Sequence, residues 1–99
     1  MSLPRWQGIF PAVTTKFHAD ERIDAEGTAR HIDFQIRNGI HGVVTCGSLG
    51  EASTLSLEEK LDVARIAMEA SDGRVPVLAN VSETSTRDAL RYIDAANKL

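Results

Sequence analysis

Three apolar runs recur along the chain at one spacing. They are Gly8-Ile9-Phe10-Pro11-Ala12-Val13, Gly42-Val43-Val44-Thr45-Cys46 and Val75-Pro76-Val77-Leu78-Ala79, and Ile9 to Gly42 and Gly42 to Val75 are each 33 positions. Each run is short, apolar and partly β-branched, as expected of a strand buried on both faces. Each is followed by a polar loop and then a helical pattern. A period of this length holds one strand, one helix and two loops, which is what a parallel crossover needs. The chain therefore reads as three successive βα units. Ankyrin-type repeats share the period but have no strand, so they do not fit.

The helices have readable ends. Asp24 is an N-cap candidate. After it, Ala25, Ala29, Ile32 and Ile36 fall on one face, and Gly39 is placed to stop the helix in a left-handed conformation. Ser56-Leu57-Glu58-Glu59 is a capping box: Ser56 can accept from the third amide while Glu59 reaches back. From that cap, Leu57, Leu61, Ala64 and Met68 form the expected inward face, with a stop near Gly73. A third helix starts near Ser85, with Asp88 three residues on, and is expected to turn Ala89, Ile93 and Ala96 inward; no stop signal precedes Leu99. Pro76 stands at the start of its run, where a missing donor is tolerated, whereas Pro11 lies inside its run and blurs that strand's extent.

Chemistry is concentrated in the stretch from Val43 to Glu59. An apolar run leads into Gly47-Ser48-Leu49-Gly50 and then into the Ser56 cap. Strand, glycine turn and helix start together put Ser48 at the carboxyl end of a strand, the end at which parallel α/β folds bind ligands. Glycines let a backbone approach a ligand with no Cβ in the way. Gly47-x-x-Gly50 is not a phosphate loop of the P-loop type, because the following Lys-Ser/Thr is missing. Ser48 has a plain alternative role, bonding the turn backbone. Glu51 is a candidate acid or base, or a structural partner for amides near the helix start.

Other classes are disfavoured by what the chain contains. Net charge is −3 with no basic cluster, which argues against nucleic acid or an anionic membrane surface as partner. With 42% apolar and 25% charged residues the composition is that of a globular domain. No apolar run is long enough to span a bilayer, and Met1-Ser2-Leu3-Pro4-Arg5-Trp6 lacks a leader's apolar core. Cys46 is the one cysteine, so no internal disulfide is possible, and a reducing cytoplasm is the expected compartment. It reads as a small buried hydrophobe. His18, His31 and His41 have no mutual metal-ligand spacing, so no metal is expected.

Size sets the architecture. A (β/α)8 TIM barrel takes roughly 250 residues, about 31 per unit. Three units fill the 99 residues present. Three parallel strands alone leave two open edges. The chain is therefore expected to be the amino-terminal part, about the first three βα units, of a single barrel domain; a complete small α/β domain is the alternative.

Gly47-Ser48-Leu49-Gly50-Glu51-Ala52-Ser53-Thr54-Leu55-Ser56 resembles the Gly-Thr/Ser-Thr-Gly-Glu-x-x-x-Leu-Thr/Ser motif of the dihydrodipicolinate synthase / N-acetylneuraminate lyase family. Gly8 to Phe17, with Ile23-Asp24 following, looks like that family's first strand and loop, and Arg74 to Ala79 like its third strand. The resemblance implies a (β/α)8 barrel, commonly tetrameric, in which a lysine forms a Schiff base with a 2-oxo acid, usually pyruvate, and no cofactor or metal is used. It implies Ser48 as catalytic, passing a proton between substrate and a tyrosine, and Ala12, Gly47, Ser48 and Leu49 as substrate-binding. A hydroxyl suits a relay because it donates and accepts at once. The resemblance puts the Schiff-base lysine and the relay tyrosine downstream of Leu99. Lys16, Lys60 and Lys98 lie in a loop or on helices, and Tyr92 lies within the third helix, so none matches.

Two departures from the family pattern bear on substrate. Leu49 stands where the motif has a second hydroxyl, so a larger 2-oxo acid or a cyclic imine is expected to be preferred over pyruvate. Asn80-Val81-Ser82 stands where the family often has Gly-Thr-Gly. Within the family, a deaminase, a dehydratase or a 2-keto-3-deoxy sugar acid aldolase is the alternative. Outside it, the alternative is a non-catalytic α/β module that binds a small anion at Gly47–Gly50.

Overall fold

The computed structural model describes residues 3–99. The reading that the start lacks a leader's apolar core falls partly on Met1 and Ser2, outside the described residues. Five regular elements follow in order: α1 (Ala25–Arg37), β1 (Val43–Thr45), α2 (Leu57–Ser71), β2 (Val77–Ala79) and α3 (Thr86–Ala96). β1 and β2 are parallel neighbours in the register Val43 to Val77, Val44 to Leu78 and Thr45 to Ala79. The crossover between them is α2, as the period requires.

The first apolar run pairs with β1 on its other side through a single bridge only, which corrects the expectation of a strand over this run. Ala12 faces Val44 in a single parallel bridge. The Val13 N–H donates to the Val44 carbonyl at 3.0 Å, and the Val44 N–H to the Pro11 carbonyl at 2.9 Å. The ladder stops there because the next bond would need an N–H on Pro11, and proline has none. The pairing offset is one residue short of the sequence period on this side and one over on the other.

Helix caps form as the sequence predicts. The Asp24 carboxylate accepts from the Gly27 N–H at 2.8 Å. Ser56 and Glu59 make both bonds of the capping box, at 3.2 and 2.8 Å. Ser85 accepts from the Asp88 N–H at 3.1 Å. Gly39 is left-handed, with φ 97°. At the end of α2, Asp72 takes the left-handed cap one residue before Gly73.

α1 and α2 cover one face of the sheet. Val13, Ile32, Ile36, Val43 and Ala67 form the main cluster, with Ile40, Ala70, Val75 and Val77 against it. Complete burial of an Ile or Val side chain contributes about 1.5–3 kcal/mol. A second cluster, under the carboxyl end of β1, joins Cys46, Ala52, Leu55 and Val63 to Phe17 and Ile23. Arg74 bonds Asp33 at 2.7 Å and ties the turn after α2 back to α1; this bond, with that of Arg37, holds the Asp33 carboxyl below its ordinary range.

The inward faces differ in detail from the sequence reading. Ala25 is exposed and Thr28 is buried instead, its hydroxyl accepting from the Lys16 N–H at 3.1 Å. α2 is rotated so that Lys60, Val63, Ala64, Ala67 and Ser71 are buried, while Met68 is exposed. Tyr92 is the buried residue of α3, and Ile93 is exposed. Met68 and Ile93 are turned along the free side of β2, where with Val81, Ala96 and Leu99 they line an open apolar trough. Residues 1–99 expressed alone should therefore self-associate. Light scattering behind a sizing column checks this; a monomer with a cooperative denaturant transition would refute it. No helix among the described residues is long and apolar enough to cross a membrane.

Candidate active site at the carboxyl end of the sheet

β1 ends at Thr45, and the chain turns at once. Cys46 adopts φ 56° and Glu51 φ 63°, so two non-glycine residues close together are left-handed. Each such conformation costs about 1–2 kcal/mol and persists only where neighbours hold it. Between them the turn is closed by its own backbone. The Gly50 and Ala52 N–H groups donate to the Gly47 carbonyl at 3.1 and 3.2 Å, and the Glu51 N–H to the Ser48 carbonyl at 3.1 Å. Ala52–Thr54 then forms a single 3-10 turn that the sequence did not announce. It carries the chain to the Ser56 cap of α2.

The two glycines have different reasons. A Cβ on Gly50 would stand 3.0 Å from the Cys46 nitrogen and 3.1 Å from both the Cys46 Cα and the Val13 carbonyl oxygen, all backbone. A side chain at Gly50 would thus press on backbone, which would have to give by a few tenths of an ångström. A Cβ on Gly47 would meet nothing within 4 Å, and no positive φ is needed there. The open space beside Gly47 is what a ligand's close approach requires.

The four substrate positions implied by the resemblance fall in two places. Gly47, Ser48 and Leu49 share the turn, with Ser48 exposed and Leu49 65% exposed. Ala12 is exposed one segment away, opposite Val44. Paired residues point to the same side of a parallel sheet, and neighbours in sequence to opposite sides. Val13 and Val43 point into the helices, so Ala12 and Val44 occupy the helix-free face. The bond the turn makes through Ser48 uses its carbonyl, and the residue is exposed.

Glu51 does not pair through its carboxylate with the amides at the start of α2, as one reading had it. Its carbonyl accepts from the Thr54 N–H and hydroxyl at 3.0 and 2.9 Å. Its side chain lines an open cavity of about 520 Å³ with Phe17, His18, Glu21, Leu55 and Glu59. That cavity lies beside the turn and does not include Ser48.

Three side chains make polar contacts near the turn that were not anticipated: those of Asn80, Thr15 and Lys60. The Asn80 amide donates to the Cys46 carbonyl at 3.2 Å, while its backbone N–H donates to the Thr45 carbonyl at 3.1 Å. The Thr15 hydroxyl, buried, donates to the Gly50 carbonyl at 2.8 Å. Lys60 bonds Glu83 at 2.7 Å, with side chains only 5% and 14% exposed. A lysine on the same helical stripe as Ala64 and Ala67 was the available signal for the last of these.

Two buried groups near the turn are shifted in their titration. Burial pushes the Cys46 thiol up to about 11, against a smaller opposing effect of Lys60, so it is an inert thiol as expected. Burial likewise pushes Tyr92 up to about 12, with Cys46 and Glu83 adding to the rise. Tyr92 is fully buried. Among the described residues, no group of three His, Cys, Asp or Glu side chains is placed to hold a metal ion.

An open glycine turn with an exposed serine stands at the carboxyl end of a parallel strand, the end at which α/β enzymes bind ligands. The chain belongs to the dihydrodipicolinate synthetase family, whose model matches residues 5–99. It is 43% identical over 93 residues to a 4-hydroxy-tetrahydrodipicolinate synthase of Methanoculleus marisnigri, covering 92% of this chain and 32% of the relative. Among solved structures it is similar to YagE, a prophage protein of the dihydrodipicolinic acid synthase family from E. coli K12 in complex with pyruvate, at 39% identity and a TM-score of 0.89, covering 95% of this chain and 32% of that one. An N-acetylneuraminate lyase from Mycoplasma synoviae aligns at 28% identity and a TM-score of 0.86, over 94% of this chain and 32% of the other. The chain thus spans about a third of the length of the proteins it matches.

Proposed function

We propose that this chain is the amino-terminal part of a Schiff-base-forming lyase acting on pyruvate or a related 2-oxo acid. About the first three βα units of a single (β/α)8 barrel lie within it. The observation that carries the reading is the open Gly47–Leu49 turn at the carboxyl end of β1, in a chain that shares its fold with a family protein bound to pyruvate. The barrel closes on the helix-free face, which carries Ala12 and Val44. The whole enzyme is cytoplasmic and tetrameric, in keeping with the family.

The chemistry follows from the carbonyl. A neutral lysine amine adds to the ketone carbon, and the carbonyl oxygen takes up a proton to become a hydroxyl. That first proton is one the nitrogen releases on addition; the hydroxyl then leaves as water with the nitrogen's second proton as the nitrogen's lone pair closes the imine. Ser48 hands on these protons, receiving one for each it gives, so it ends unchanged. The amine comes from outside this segment. Lys60 is buried and engaged with Glu83, which makes it a poor nucleophile.

Leu49 bears on substrate choice. A charged hydrogen bond contributes about 1.5–3 kcal/mol, and Leu49 offers the substrate carboxylate only its backbone amide. Pyruvate should therefore saturate the enzyme only weakly, and Leu49→Thr should lower half-saturation by about 10-fold or more. Borohydride trapping of the lysine adduct against pyruvate concentration measures both. If no adduct forms at any concentration, the lyase reading fails. If wild type saturates at low pyruvate and the substitution changes nothing, position 49 does not tune the substrate.

A further inference from the structure

We infer that Asn80 is a positioning residue for Ser48, acting through the backbone of Cys46; this rests on the lyase reading of the Ser48 turn. The turn is suspended between two carbonyls. Downstream, the Gly50 carbonyl is held by the buried Thr15 hydroxyl at 2.8 Å. Upstream, the Cys46 carbonyl is held by the Asn80 side-chain amide at 3.2 Å. The Gly47 carbonyl, one peptide plane further on, is held by the Gly50 and Ala52 N–H groups, while a Cβ on Gly47 would meet nothing within 4 Å. Cys46 itself is left-handed, a conformation that a non-glycine residue leaves unless something holds it. The bond from Asn80 is therefore what sets the Cys46–Gly47 peptide plane, and that plane sets the direction in which Ser48 leaves the sheet.

Asn80 is in turn fixed on all sides. Its backbone N–H is bonded to Thr45, and its amide also donates to the Ser82 hydroxyl. One residue further, Glu83 is locked to the buried Lys60, which sits in the first turns of α2. The Cys46 thiol points back at the Lys60 carbonyl, 3.8 Å away. The loop after β2 thus reaches across to the end of β1 and is anchored before it does so. A residue supported in this way can hold a neighbour to within the fraction of an ångström that proton transfer demands.

The test is made on the full-length enzyme with pyruvate as probe. Asn80→Asp keeps the shape but loses the donor, and Asn80→Ala loses the donor without adding a charge. Each should slow borohydride-trapped adduct formation at saturating pyruvate by about 10-fold or more, with half-saturation changed less than about 3-fold. In a Ser48→Ala background, adding Asn80→Ala should slow it by less than about 2-fold, because the two residues act through one path. An equal loss in both backgrounds would overturn the inference, as would a change confined to half-saturation or failure of both variants to fold. A crystal structure of Asn80→Ala reads the clamp directly: Cys46 should leave the left-handed region, and a Cys46 that stays there overturns the inference whatever the chemistry. Absence of any adduct in wild type sinks the lyase reading and the catalytic role built on it, while the crystal structure still decides whether Asn80 holds the turn.

Discussion

Replacing Ser48 by alanine in the intact enzyme should lower kcat by roughly 10²–10⁴-fold while leaving substrate half-saturation nearly unchanged. The size follows from what a hydroxyl does in imine formation. Each proton it relays would otherwise have to find its way through bulk water to a carbonyl oxygen in a closed site. Ser48 is exposed, and its turn is closed by backbone bonds to Gly47 and by its own carbonyl. Removing one oxygen therefore takes nothing from the fold, and stability should move by no more than about 0.5 kcal/mol. That separation makes the experiment clean. Steady-state kinetics beside a urea titration would show it, and an unchanged kcat would return Ser48 to an ordinary turn residue.

The largest stability effect should come from Glu83. Its carboxylate is 14% exposed and its partner Lys60 5% exposed, so removing the carboxylate leaves an ammonium with no counter-charge in a desolvated place. For a buried pair this costs about 3–5 kcal/mol; the low end applies here because Glu83 keeps some contact with water. Glu83→Ala should shift the denaturation midpoint of the full-length protein accordingly. The double replacement Lys60→Met with Glu83→Leu should recover most of the loss, since it removes the unpaired charge along with the pair. Equilibrium urea unfolding of wild type, single and double variants decides it. A double variant as unstable as the single would mean that the ion pair itself, rather than the stranded charge, supplies the stability.

What could be read in the sequence was local. The Asp24, Ser56 and Ser85 caps each join residues three apart, and all three form as expected. The Ser48 turn was readable for the same reason: strand, glycines and cap follow one another directly. What could not be read spans the crossover. Thr15 to Gly50 is 35 positions, Asn80 to Cys46 is 34 and Lys60 to Glu83 is 23. No periodicity announces which asparagine will meet which carbonyl. The left-handed Cys46 was hidden for a related reason, since its own residue type argues against it and a distant amide holds it there. The stripe of α2 was misplaced because Leu57 and Leu61 outrank Val63 and Ala67 in size. The sheet selects the smaller residues because they let helix and strands approach closely.

Gly50 touches the Cys46 backbone on one side and the Val13 carbonyl on the other, and its own carbonyl holds Thr15. That single point of contact orders events in time. The segment containing Val13 and Thr15 must return across α1 and settle beside β1 before the turn has a surface to close on. Loop closure over some 35 residues has to be made first, and contacts of such separation are the slow ones in folding. The Gly47–Gly50 turn should thus be among the last parts to acquire native structure. Substitutions in it should hasten unfolding rather than slow folding.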